Sequence, residues 1–285
     1  MEETHSTIAQ GAPFYIIFTD LDGTLLDHNT YGWKEAMPAL NLCKKLDVPI
    51  ILVSSKTRAE MGKLRLKLSI SAPFISENGG GIFFPSKLLV DPLPGASLDK
   101  DLWKWSLGLP YSRLVGGLQE IRDELGLNIK GFSDMSIDEI SRLTGLDRED
   151  SRLAGMREYD EPFIILDKRP LDREALFKAA TRRGLTITEG GRFFHVQGKT
   201  NKGRAMEKLV SWYKEFRENI FSVALGDSPN DFPMLERADC PVLVRSQKDF
   251  SELNAKIPRL KITREMGPKG WNSAVLDILD NTESI

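Results

Sequence analysis

Two pairs of carboxylates stand out in the chain by type and spacing. Asp20-Leu21-Asp22-Gly23-Thr24-Leu25-Leu26 follows the apolar run Phe14-Tyr15-Ile16-Ile17-Phe18, and Gly226-Asp227-Ser228-Pro229-Asn230-Asp231 follows Phe221-Ser222-Val223-Ala224-Leu225. Residues two apart on an extended chain point the same way, so Asp20 and Asp22 can face one site. Gly23 permits a sharp turn, and Thr24 can orient a carboxylate through its hydroxyl. A turn alone would account for Asp22-Gly23, but not for paired acids fed by a buried strand. Clustered carboxylates repel one another unless a cation or a shared proton compensates. An oxygen-only set, with neither His nor Cys, favours Mg2+ over zinc.

Two further segments carry chemistry suited to a phosphate. Val53-Ser54-Ser55-Lys56-Thr57 follows a second apolar strand, and hydroxyls, backbone N–H groups and a helix N-terminus together make an anion cradle. Ser and Thr are also the common helix N-caps, and taken by itself this segment reads more often as capping than as a cradle. Lys202-Gly203 opens a helix after Gly198. A lone Lys there is ordinarily a solvated charge; it gains meaning because an aspartyl nucleophile handling a phosphate needs a nearby cation.

The elements that must position these groups alternate between strand and helix. Short continuous apolar runs at 14–18, 49–53 and 221–225 read as strands buried on both faces, and 74–75 and 82–84 are shorter apolar runs on either side of Ser76 to Gly80. Helical patterns at 33–45, 57–68, 202–216 and 271–279 lie between or beyond them, and 242–244 is a further short apolar segment. The pattern predicts an α/β doubly wound, Rossmann-like parallel-sheet core, with ligands at the strand ends.

Pro85, Pro92, Pro94 and Gly95 mark a boundary. Beyond it, Leu114, Leu118, Ile121 and Leu125 fall at helical spacing before a Gly126 C-cap, and Ser136 with Glu139 forms a capping box. Strands are expected at 163–166, 185–187 and 192–196, with a helix over 172–183. Residues 1–85 and 199–285 are therefore predicted to form the core, and 86–198 an inserted α+β domain.

Bulk properties narrow the function classes. The chain has 285 residues, which favours two domains, and a formal net charge of −2. Acids and bases are interspersed, which argues against a nucleic-acid partner. Cys43 and Cys240 are too few and too far apart for a disulfide framework or a thiolate metal site. Met1 to Pro13 is polar and lacks the basic start and apolar stretch of a signal peptide, and no run is long enough to span a bilayer. A cytoplasmic protein without a membrane partner is the expectation; the sequence leaves oligomeric state open.

Taken in order, the four chemical segments resemble the haloacid dehalogenase-like phosphatase superfamily across the whole core. The resemblance implies that Asp20 is the nucleophile that forms an aspartyl-phosphate, with Asp22 the general acid and base. Ser54 would bind the phosphoryl group, Ser55 being the alternative by one residue of alignment, and Lys202 would hold its charge and orient Asp20. Asp227 would join Asp20 and the backbone carbonyl of Asp22 around Mg2+, with Asp231 nearby. A proton donor such as Asp22 suits a substrate that leaves as a poor alkoxide.

The insertion resembles the α+β cap of the sugar-phosphatase branch. Ser54-Ser55-Lys56-Thr57-Arg58-Ala59-Glu60, Glu77-Asn78-Gly79-Gly80, Leu143-Thr144-Gly145-Leu146, the stretch Met156 to Phe163 and Arg192-Phe193-Phe194-His195 are similar to the mannosyl-3-phosphoglycerate phosphatase family. That family implies a small phosphorylated glycoside as substrate, mannosyl-3-phosphoglycerate or its glucosyl analogue. Substrate contacts are then expected from Ser55, Lys56, Asn78, Gly79, Arg157, Glu158, Arg192, His195, Ser228 and Asn230, with Glu161 a second hydroxyl acceptor. Two of these have plainer readings: the charges Arg157 to Glu161 as a solvated face, and His195 as a structural histidine. A broader sugar phosphatase or a phosphohexomutase shares the chemistry. A phospho-acceptor signalling protein is the alternative of another class, although a switch needs neither Asp22 nor a cap.

Overall fold

The computed structural model describes residues 13–89, 93–167, 170–189, 192–248, 250, 253 and 255–280. Pro92 and the polar stretch before Pro13 lie outside the described residues. The chain divides into two compact units: Met1–Ile50 with Glu207–Ser228 and Leu235–Ile285, and Ile51–Met206 with Pro229–Met234.

The chain opens with β1 (Phe14–Thr19), α1 (Met37–Lys45), β2 (Ile50–Val53), α2 (Arg58–Leu68), β3 (Phe74–Ser76) and β4 (Gly81–Pro85). Next come β5 (Ser97–Asp99), β6 (Leu102–Ser106), α3 (Tyr111–Leu125), β7 (Ile129–Gly131), α4 (Ile137–Thr144) and α5 (Arg148–Ala154). Then follow β8 (Asp160–Ile165), α6 (Arg173–Arg182), β9 (Thr186–Glu189), β10 (Phe194–Gln197) and α7 (Lys202–Tyr213). The chain closes with β11 (Ile220–Gly226), α8 (Phe232–Leu235), β12 (Cys240–Arg245), β13 (Lys261–Met266) and α9 (Gly267–Asp280).

The first unit carries the parallel α/β layer. β1 runs parallel to β11 with Thr19 opposite Leu225, β11 parallel to β12, and β12 parallel to β13. Ile16, Ile17, Phe18, Val223, Ala224 and Leu225 are all buried, as strands covered on both faces require. Helix α9 inserts Trp271, wholly buried, whose indole N–H reaches Thr19 Oγ1 at 2.9 Å. This bond ties the helix to the last residue of β1, next to Asp20. Asn272 Oδ1 accepts from the Ala39 N–H at 2.9 Å, satisfying one of the orphan donors at the start of α1.

The second unit holds strands in the order β2-β3-β4-β6-β5 and a separate sheet β7-β8-β10-β9. β2 and β3 are parallel, whereas β3, β4, β6 and β5 pair antiparallel in turn. The second sheet is antiparallel throughout. Leu114, Leu118 and Ile121 of α3 and Leu176 of α6 pack on Phe163 and Val196 of this sheet. Burying each such side chain contributes about 1.5–3 kcal/mol. Gly126 ends α3 at φ 55, and the Ser136–Glu139 box caps α4, as the sequence predicted.

Several boundaries differ for physical reasons. The helix predicted from Trp33 begins at Met37, after a single 3-10 turn, because Pro38 lacks an N–H and fits only the first helical turn. The strand expected at 163–166 runs from Asp160 to Ile165, so two acids lie inside it. β5 and β6 occupy a segment that reads as a Pro-rich crossover, where Trp105 is buried and donates to Pro94 O at 2.9 Å. β13, Lys-Ile-Thr-Arg-Glu-Met, has the charged, exposed composition of an edge strand rather than an apolar run. Cys43 and Cys240 are free and buried. Among the described residues, no helix is long and apolar enough to cross a membrane.

Candidate active site

In the first unit, β1 delivers Asp20 and β11 delivers Asp227. The parallel register continues past Thr19 and Leu225, with the Asp20 N–H donating to Leu225 O at 2.9 Å. The turn that follows is closed by Thr24 N and Leu26 N on Leu21 O, at 3.1 and 2.8 Å, and by Gly23 N on Leu26 O at 2.9 Å. Gly23 sits at φ +84, and a Cβ there would stand 2.7 Å from Asp227 Oδ2. Only glycine can let this turn pass so close to the second carboxylate. Thr24 Oγ1 lies 3.4 Å from Asp227 Oδ1, so the hydroxyl does turn toward a carboxylate.

Asp20 is buried and Asp227 half-buried, and each offers a carboxylate oxygen within 4.8 Å of the other. Two like charges this close repel, and hard oxygen donors at such spacing suit a small divalent cation. The donor set therefore fits Mg2+.

In the second unit, Ser54 is buried at the end of β2, its N–H donating to Ile75 O at 3.0 Å. Ser54 Oγ accepts from the Lys56 N–H at 3.2 Å. The capping role falls to neither Ser54 nor Ser55. Thr57 caps α2 in a reciprocal box with Glu60, leaving the two serines upstream of the helix start. Residues Glu77, Asn78 and Gly79 all have positive φ, 47°, 55° and 93°. A Cβ on Gly79 would collide with Asn201 O at 2.3 Å, and Thr200 Oγ1 donates to Gly79 O at 2.9 Å. The Asn78 turn is thus held against the start of α7, where Lys202 begins the helix.

Lys202 is wholly buried and its Nζ lies 2.6 Å from Asp231 Oδ1, which is also wholly buried. A buried ammonium with a carboxylate partner is far from the solvated charge that sequence position alone suggests. Asn230, next to Asp231, donates through Nδ2 to Asn78 Oδ1 at 3.1 Å. The structure therefore joins Asn78, Asn230, Asp231 and Lys202 within one unit, and Asp20, Asp22, Thr24 and Asp227 within the other.

The run Arg157 to Glu161 is a connected, largely buried network rather than a solvated face. Arg157 donates to Ser55 O at 2.8 Å and Ala154 O at 2.9 Å, and faces Asp160 at 3.8 Å. Glu158 pairs with Arg58 at 2.8 Å and Lys104 at 3.0 Å. Glu161 accepts from Tyr111 Oη at 2.5 Å and from Ser133 N and Oγ at 2.9 and 2.7 Å; burial raises its carboxyl. Glu77 accepts from the Tyr159 N–H at 2.7 Å and the Glu158 N–H at 3.0 Å, and burial pushes it up to about 7. Arg192, exposed, donates to Thr144 O at 2.5 Å and to Leu143 O at 3.4 Å. His195 is held by Asp160 at 2.9 Å.

Asp160 and Glu77 lie in stretches that the sequence marks as distinctive, but neither was expected as a site residue; for Asp160 a local signal was present. The available signal was an acidic pair running into Pro162-Phe163-Ile164-Ile165 with no turn residue between them. Such a junction places acids within a strand, where burial forces partners on them.

The profile of a haloacid dehalogenase-like hydrolase family matches residues 17–100 and 165–257. The glucosyl-3-phosphoglycerate/mannosyl-3-phosphoglycerate phosphatase of Methanococcoides burtonii is 38% identical over 271 residues, covering 95% of this chain and 99% of the relative. The mannosyl-3-phosphoglycerate phosphatase of Pyrococcus furiosus is 36% identical over 229 residues, covering 80% and 90%. The crystal structure of Thermoplasma acidophilum 0175 superposes with a TM-score of 0.65 over 96% of this chain and 100% of that one, at 19% identity. At that identity the likeness is one of fold.

Proposed function

The chain belongs to the haloacid dehalogenase-like hydrolase family, and we propose that it hydrolyses mannosyl-3-phosphoglycerate and glucosyl-3-phosphoglycerate to the glycosylglycerate and phosphate. It is a phosphoric monoester hydrolase. The substrate reading is carried by one observation: end-to-end similarity, at 38% identity, to a phosphatase named for both compounds.

In the proposed reaction the Asp20 carboxylate attacks phosphorus and the bond from phosphorus to the glycerate C3 oxygen breaks. Asp22 gives its proton to that departing alkoxide. Water then attacks the aspartyl-phosphate at phosphorus while Asp22 takes up a proton, and phosphate leaves with the Asp20 carboxylate restored. Ser54 and Lys202 hold the phosphoryl oxygens; Ser55 is the alternative hydroxyl. Asp20, Asp227 and Asp231, with the Asp22 carbonyl, are the proposed Mg2+ ligands, and the closeness of Asp20 to Asp227 supports that set. Held by these residues, Mg2+ would neutralise the repulsion between carboxylate and phosphate.

Around the organic part of the substrate, Lys56, Asn78, Gly79, Arg157, Glu158, Arg192, His195, Ser228 and Asn230 are the proposed contacts. Arg157 and Glu158 spend side-chain bonds on the protein itself, so both contribute mainly by shaping the pocket.

Phosphate release from mannosyl-3-phosphoglycerate tests this reading. Turnover is expected with Mg2+, is abolished by a chelator and returns when Mg2+ is added back. Turnover that persists under chelation would contradict the metal assignment; a protein that releases phosphate from simple esters but from neither glycosyl-phosphoglycerate would contradict the substrate.

A further inference from the structure

Four side chains of the second unit form an unbroken hydrogen-bonded series ending at one open nitrogen. Asn230 Nδ2 donates to Asn78 Oδ1 at 3.1 Å, and Asn78 Nδ2 donates to Asp160 Oδ2 at 3.3 Å. His195 Nδ1 lies 2.9 Å from Asp160 Oδ2 and 3.1 Å from Oδ1. His195 Nε2 has no hydrogen-bond partner among the described residues, and the side chain keeps 15% of its surface exposed.

Chemistry fixes which nitrogen carries the proton. A carboxylate only accepts, so the Nδ1 facing Asp160 is the N–H, and in a neutral imidazole Nε2 keeps the lone pair. Asp160 is wholly buried and cannot turn away. Arg157 faces it at 3.8 Å, and Asn78, whose own N–H is bonded to Ser54 O, donates to it. Register explains the meeting: His195 pairs with Pro162 across β10 and β8, which makes Asp160 its diagonal neighbour on the same face. A histidine that only fills space does not need a buried carboxylate, whose desolvation is costly.

We propose that Asp160 is a positioning residue that presents His195 Nε2 as a hydrogen-bond acceptor to a hydroxyl of the substrate's sugar. The inference rests on the substrate reading given above. Glycerate has two hydroxyls; the phosphate takes one and the glycosyl group the other, so every free hydroxyl belongs to the sugar. The phosphate and carboxylate of the substrate are acceptors and have nothing to donate to a lone pair. Asn78 and Asn230 extend the series to the turn Pro229–Asp231.

The test uses the full chain in a mildly alkaline buffer. Wild type, Asp160→Asn and His195→Phe are assayed on mannosyl-3-phosphoglycerate and on p-nitrophenyl phosphate, and the ring-nitrogen NMR shifts of His195 are recorded in wild type and Asp160→Asn. In Asp160→Asn the amide can donate to Nδ1, so the ring is expected to adopt the Nε2–H tautomer and lose its acceptor. Both variants should then lose about tenfold more kcat/KM on the glycosylated substrate than on the aryl ester, chiefly through KM. Tenfold corresponds to about 1.4 kcal/mol, the upper range of a neutral hydrogen bond. If Asp160→Asn fails to fold, His195→Phe, which has no acceptor, still gives the substrate comparison. An unchanged Nδ1–H tautomer in Asp160→Asn, or equal losses on both substrates, would overturn the proposal and leave the phosphatase reading standing. Wild type that cleaves the aryl ester but neither glycosyl-phosphoglycerate would overturn the substrate reading, and this inference with it.

Discussion

Asp20 and Asp22 leave the end of β1 into a turn, whereas Asp160 and Glu161 open β8 and lie inside its sheet. The two acidic pairs have nearly the same composition and opposite surroundings. At the strand end, Asp20 stands within 4.8 Å of a second carboxylate, Asp227, a spacing that suits a cation. Inside β8, each acid is met by donors: Asp160 by His195 and Asn78, Glu161 by Tyr111 and Ser133. An acid inside a paired strand is met by donors from its own sheet and its neighbours, whereas an acid at a strand end faces a second carboxylate across the register.

The sharpest way to break this comparison is to exchange charge for amide at Asp20. Asp20→Asn is expected to lower phosphate release by about 10⁴-fold or more, the scale of removing a covalent nucleophile. A variant that melts early and keeps its activity would reverse the assignment of the two pairs.

Glu161→Ala should do the opposite. It strips the acceptor from Tyr111 Oη and from Ser133 N and Oγ, and is expected to cost about 2–4 kcal/mol in urea unfolding. Activity on a small aryl phosphate should then follow the folded fraction. A loss below about 0.5 kcal/mol would show that this acid is not structural.

Glu77 gives a smaller effect with a definite pH signature. Burial raises its carboxyl from an ordinary 4.5 to about 7. The folded state therefore binds the proton more tightly than the unfolded chain, so the contribution is fully present below about 4.5 and is lost as pH rises through about 7. Relative to Glu77→Gln, wild-type stability should fall across that window by about 3 kcal/mol at most. Parallel stability curves for the two proteins would remove the buried carboxyl from the account.

Much of the first unit was legible because burial on both faces writes itself as an apolar run, and a run that ends in Asp marks a strand end. Phe14–Phe18 with Asp20 and Phe221–Leu225 with Asp227 are of this kind. Gly23 was legible as a turn, but its closeness to Asp227 is a tertiary fact that no local pattern encodes. The second unit was harder to read. β5 and β6, like β13 of the first unit, have mixed composition, and their pairing is decided by neighbouring strands rather than by their own periodicity. Asp160 and Glu161 read as surface charge until the strand that contains them is paired. Lys202 is the same case: one Lys at a helix start says nothing about burial, and its wholly buried pairing with Asp231 comes from a segment 29 residues away.

The most direct test of the account is a competition in one tube, followed by phosphorus NMR. Equal amounts of mannosyl-3-phosphoglycerate, glucosyl-3-phosphoglycerate and a hexose 6-phosphate are mixed with the protein and Mg2+. The account predicts that both glycosyl-phosphoglycerate signals give way to inorganic phosphate while the hexose phosphate signal persists. Consumption of the hexose phosphate first, with the glycosyl-phosphoglycerates left standing, would contradict it.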